Sequence, residues 1–116
     1  MTNEEYYKPF NTRQLAATGD KYLVVDVILK GIKLKAIVDS RAHRNFISPT
    51  IVLEHLLPTE VKGEGYYLVL VDGKLSANGI VDVETIELGI GIAGHWETIR
   101  FDVTRIGGHD IILGLL

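Results

Sequence analysis

Apolar residues in this chain come in runs too short for a core helix, and glycine punctuates them. Tyr22-Leu23-Val24-Val25-Asp26-Val27-Ile28-Leu29 is rich in β-branched side chains and too short and unbroken for an amphipathic helix, so it reads as a strand. Lys30-Gly31 supplies a tight turn. Ile32-Lys33-Leu34-Lys35-Ala36-Ile37-Val38 then alternates apolar residues with Lys before becoming wholly apolar, which carries a second strand into the core just before Asp39. Ser48-Pro49 is a helix start, with a hydroxyl at the N-cap and Pro at the first helical position, and Leu57-Pro58 ends that helix. Tyr66-Tyr67-Leu68-Val69-Leu70-Val71 is a strand, Asp72-Gly73 a two-residue hairpin signal, and Lys74-Leu75-Ser76-Ala77 the start of the return. Residues 80–88 alternate and should have one wet face, whereas Gly89 to Gly94 reads as a loop with an Ala93-Gly94 turn. Trp96 opens a further strand, over 96–103, and is expected to be partly buried. Gly107-Gly108 separates this strand from a last apolar run, Asp110-Ile111-Ile112-Leu113-Gly114. The sum is about seven strands and one short helix, an all-β class with a small barrel or sandwich.

The 116 residues amount to one domain, with a core of modest size. Residues 1–18 are polar and weakly periodic and read as an N-terminal arm or linker, leaving 19–116 as the folded domain. A net charge of −3 offers no basic footprint for nucleic acid. With no cysteine there can be neither a disulfide framework nor a thiolate metal site. The four histidines lack zinc-ligand spacing, so no metal is expected. Gly89, Gly91 and Gly94 match a dinucleotide-loop spacing but no helix follows them, and no cofactor is expected either. No run approaches the roughly 18 apolar residues that span a bilayer. The start Met1-Thr2-Asn3-Glu4-Glu5 is acidic where a signal peptide is basic. The expectation is an intracellular, cytoplasmic protein without a membrane partner.

Asp39-Ser40, delivered by the apolar strand into a loop, is the one Asp-Ser or Asp-Thr pair of the chain. Taken alone, such a pair is most often a turn or cap, because both side chains bond local backbone. The block Ile37-Val38-Asp39-Ser40-Arg41-Ala42-His43-Arg44-Asn45-Phe46-Ile47-Ser48 says more. It resembles the retropepsin-like aspartic proteases, above all those of long-terminal-repeat retrotransposons of the gypsy type, in which Asp-Ser-Gly-Ala is followed by Asn-Phe-Ile-Ser. Ile111-Ile112-Leu113-Gly114 falls where that family has a second apolar-apolar-Gly element, and the likeness runs from about residue 20 to the last one.

The resemblance implies a small closed β-barrel of the retropepsin type with one short helix and an active site on a homodimer axis. It implies that Asp39 is the catalytic carboxylate and that Ser40 donates a hydrogen bond across that axis. Arg41 and Ala42 would line the cleft for an extended peptide or polyprotein substrate, and Val71, Asp72, Gly73 and Lys74 would form the flap over it. Peptide hydrolysis by carboxylates needs two of them about 3 Å apart sharing one proton. Asp20, Asp26, Asp72, Asp82, Asp102 and Asp110 lack a comparable strand and loop, so the second carboxylate is expected from a second chain.

Arg41 stands where the family has Gly. A guanidinium at that place favours ionised carboxylates and crowds the axis, so it is expected to suppress hydrolysis. The competing reading is a catalytically inactive dimerisation or peptide-binding module that keeps the fold.

Overall fold

Alternation along the first two strands sets the sheet. In β1 (Leu23–Leu29) Val27 and Leu29 point inward while Asp26 and Ile28 face out, and in β2 (Ile32–Asp39) Leu34 and Ala36 are buried between exposed Lys33 and Lys35. The two strands pair antiparallel, with Asp26 opposite Lys35 and their charged ends 2.7 Å apart. Lys30 and Gly31 both take positive φ, at 50° and 79°, as a two-residue hairpin turn requires. From Ala36 onward β2 is buried or half-buried on both faces, which is why its second half carries no polar residue before Asp39.

The structure, a computed structural model, describes residues 23–39, 42–69 and 75–114. After β2 come β3 (Phe46–Ile47), the helix α1 (Pro49–Glu54), β4 (Thr59–Val69), β5 (Leu75–Thr85), β6 (Leu88–Ile92), β7 (His95–Ile99), β8 (Asp102–Val103) and β9 (Ile111–Gly114). These strands form one sheet in the order β4-β5-β8-β3-β9-β2-β1-β6-β7, curled into a half-barrel with β4 and β7 at its edges. Among the described residues the expected all-β architecture with a single short helix is therefore what the chain adopts. In α1 the Ser48 hydroxyl accepts from the Thr50 N–H at 3.1 Å with Pro49 behind it, as its sequence predicts.

Period-two alternation divides the interior in two. Ala36, Ile47, Ile111 and Leu113 point into a cluster with Val27, Leu29, Ile90 and Phe101. Their neighbours Ile37, Phe46 and Ile112 point the other way, toward Ala42, Leu68, Val81 and Ile106. This second cluster joins the loop after β2 to the β4–β5 hairpin.

Four local readings change. Residues 89–92 belong to strand β6 and not to a loop: Leu88 and Ile90 are buried, and the glycines between them occupy the alternate positions. Gly91 lies under the Trp96 ring, where an added Cβ would come within 3.2 Å, so the tryptophan is spent on covering backbone and stays 64% exposed instead of entering the core. The strand expected over 96–103 is broken at 100–101 into β7 and β8, and β4 begins at Thr59, well before Tyr66, with its register shifted between Val61 and Tyr66. The proposed arm, 1–18, lies outside the described residues.

Candidate active site at the end of β2

Asp39 closes β2 and is 2% exposed. It lies in parallel register with Gly114, the last residue of β9, just as Val38 lies with Leu113. The Ala42 N–H donates to the Asp39 carbonyl oxygen at 3.1 Å, which holds the fully buried Ala42 against the strand end. The chain after Ala42 is stitched to the strands on either side. The Asn45 side-chain oxygen accepts from the Gly114 N–H at 2.9 Å, and the Asn45 carbonyl accepts from the Asp102 N–H at 2.9 Å. Ser48 N–H then bonds the Asp110 carbonyl at 3.0 Å.

Gly114 is glycine for a steric reason. A Cβ there would lie 2.5 Å from the Arg44 carbonyl oxygen and 2.6 Å from that of Ala42, both backbone atoms that no rotamer change can move. The apolar-apolar-Gly element thus lets β9 run flush against the loop that follows the aspartate. Ile112 and Leu113 fill the two faces on either side of that contact.

Of the residues singled out in the sequence, the structure brings together Asp39, Ala42 and Gly114. Ser40, Arg41, Val71, Asp72, Gly73 and Lys74 lie outside the described residues. The arms of the hairpin expected around Asp72-Gly73 are present: β4 and β5 pair antiparallel as far as Val69 opposite Leu75. Leu68 and Val81 from these arms pack in the same cluster as Ala42.

A group of charges next to the site gave no signal in the sequence. Asp102, 5% exposed, meets Lys62 at 3.1 Å, Arg44 at 3.6 Å and the Tyr66 hydroxyl, which donates to its carboxylate. Lys62 also reaches Glu84 at 3.5 Å. These residues come from β4, β5, β8 and the loop after β2, so only the folded sheet assembles them. Among the described residues no three His, Cys, Asp or Glu side chains converge in a way that could hold a metal ion.

A buried aspartate at a strand end, seated against an apolar-apolar-Gly strand in a curled β-sheet, defines a retroviral-protease type of fold. The same conclusion follows from a solved structure, the retroviral protease-like domain of Ddi1 from Leishmania major. It matches with a TM-score of 0.60 at 19% identity, over 83% of this chain and 74% of that one. Residues 35–116 match the PEG10/RTL1 protease domain, and the chain belongs to that retropepsin-like, gypsy-retrotransposon-derived family.

Proposed function

We propose that this chain is one subunit of an aspartic endopeptidase, in which Asp39 supplies half of a carboxylate pair and a second copy supplies the other half. The observation that carries the reading is the burial of Asp39 at the end of β2 in register with Gly114. A carboxylate withdrawn from water in a loop braced by two strands is held for chemistry more firmly than a surface turn requires. Two such groups about 3 Å apart share one proton. The ionised partner takes a proton from water as the water oxygen attacks the peptide carbonyl carbon, and the protonated partner gives its proton to the carbonyl oxygen. Collapse of the tetrahedral intermediate, with a proton passed to the nitrogen, breaks the C–N bond and yields a carboxyl and an amino terminus. In this proposal Ser40 braces the pair across the axis, Arg41 and Ala42 line the cleft, and the β4–β5 connection with Val71, Asp72, Gly73 and Lys74 covers an extended peptide and excludes water.

Arg41 favours a second reading. A guanidinium beside the pair, where this reading puts Arg41, favours two ionised carboxylates and drives off the proton they must share. Turnover in the chain as it stands is therefore expected to be low, with a retained capacity to dimerise and hold peptide. The test is a peptide mixture incubated at about pH 4 to 7 with the unaltered chain, Arg41→Gly and Asp39→Asn, and analysed by mass spectrometry. Cleavage by either of the first two that is abolished in the Asp39→Asn background supports the peptidase. Absence of cleavage from both, with a dimer in solution, leaves the binding module.

A further inference from the structure

The side chain of Asp102 touches each of the parts that the proposed site must keep aligned. Its carboxylate receives the Lys62 ammonium at 3.1 Å on one oxygen, and on the other the Tyr66 hydroxyl and, at 3.6 Å, the Arg44 guanidinium. Lys62 and Tyr66 stand on β4, in the stem of the hairpin, whereas Arg44 belongs to the loop that follows Asp39. The Tyr66 ring stacks beneath Arg44, 4.5 Å from the guanidinium carbon, with Lys62 5.9 Å away. The backbone of Asp102 extends the connection: its N–H bonds the Asn45 carbonyl, and the Asn45 side chain receives the Gly114 N–H beside Asp39. Further charges nearby among the described residues include Glu84, which shares Lys62, and Arg100, which lies 3.9 Å from Glu84 and 3.4 Å from Glu60.

Burying such a set of charges seldom stabilises a fold more than apolar packing of the same volume, but removing one member leaves the others unpaired. What the arrangement fixes is geometry, because one carboxylate accepts from two elements at once. We infer that Asp102 is a positioning residue that locks the β4–β5 hairpin stem to the Asp39 loop, with Lys62, Tyr66 and Arg44 as its contacts. The inference rests on the reading of Asp39 as the reactive carboxylate under that hairpin. It adds a component outside the Asp-Ser block and the apolar-apolar-Gly element.

The experiment compares Asp102→Asn, Lys62→Met and Val83→Ala in the full chain by amide hydrogen exchange. Val83 is a half-buried β5 residue outside the network and serves as a control for general loosening of the hairpin. Asp102→Asn and Lys62→Met are each expected to speed exchange of the Gly114 amide, the reporter of the Asn45 brace, by about tenfold, and Val83→Ala to leave it unchanged. Lys62→Met keeps the inference testable should Asp102→Asn fail to fold, since it removes the contact from the hairpin side and leaves Asp102 and the Asn45 brace in the sequence. The same variants in the Arg41→Gly background, assayed with a peptide cleaved by that background, are expected to raise KM more than they lower kcat. A Gly114 amide indifferent to Lys62→Met, or equally affected by Val83→Ala, overturns the coupling. Exchange is read without turnover, so a chain that never cleaves peptide but shows the coupled protection refutes the peptidase and leaves the positioning role standing.

Discussion

Replacing Gly114 by alanine forces a methyl group onto two backbone carbonyls of the loop that follows Asp39, and neither can turn away without giving up the hydrogen bonds around Asn45. The expected loss is about 1 to 3 kcal/mol, read from the urea midpoint, with any peptide cleavage falling alongside. Lys30 occupies a left-handed conformation that an L side chain tolerates poorly. Lys30→Asn in the Lys30-Gly31 turn is expected to raise stability by about 0.5 to 1 kcal/mol, measurable by calorimetry. Two titrating groups make stability fall on acidification. Partial burial lowers the His109 pKa below its ordinary 6.5, so below that pH the unfolded chain takes up the proton more readily than the folded one. Asp26 is lowered from 3.8, first by its hydrogen bond from Lys35 and then by the Lys35 charge; its contribution is present above 3.8 and is lost as pH falls through the lower folded value. Urea midpoints measured from neutral to acid pH should therefore decline first below 6.5 and again below 3.8, and His109→Gln should remove the first decline.

Elements were legible where one local rule decided them. Val27, Leu29, Leu34 and Ala36 announce their inward face by alternation, and Ser48-Pro49 announces the helix start by capping chemistry. Ser48→Ala should accordingly lower stability by about 1 kcal/mol, seen as a shift in melting temperature. Where two rules competed, the louder one misled. Three glycines between 89 and 94 suggest a loop, yet Leu88, Ile90 and Ile92 keep a strand's period, and the strand is made viable by Trp96 lying over Gly91. Trp96→Ala uncovers that backbone and is expected to destabilise the β6–β7 hairpin by about 0.5 to 1 kcal/mol, with faster amide exchange confined to it. The two-residue strands β3 and β8 carry no period at all. They exist because Phe46 and Ile47 find partners in both β8 and β9, contacts that no local pattern encodes. The Asp102 network was invisible for the same reason, since its members meet only across those pairings. Asp39 and Gly114, by contrast, were legible because each sits at the end of an apolar strand and carries the chemistry or the small size that its place demands.

At the scale of the molecule, each copy carries one Asp39, so the proposed function makes the carboxylate pair a property of an assembly. Sedimentation across a concentration series is expected to show a monomer–dimer equilibrium, and cleavage per chain to rise with concentration in step with it. A monomer at every concentration excludes a two-chain pair. The pairing of β2 with β9 also orders events in time. Asn45 and Gly114, whose hydrogen bond closes the site, are 69 residues apart in the chain, and β9 is inserted between β2 and β3, which are made far earlier. During synthesis, β1 and β2 can pair as soon as they emerge, but the gap beside β2 stays open until β9 leaves the ribosome. A nascent chain therefore carries its aspartate in unfinished surroundings until β9 has emerged, and any hydrolytic capacity begins only after that point.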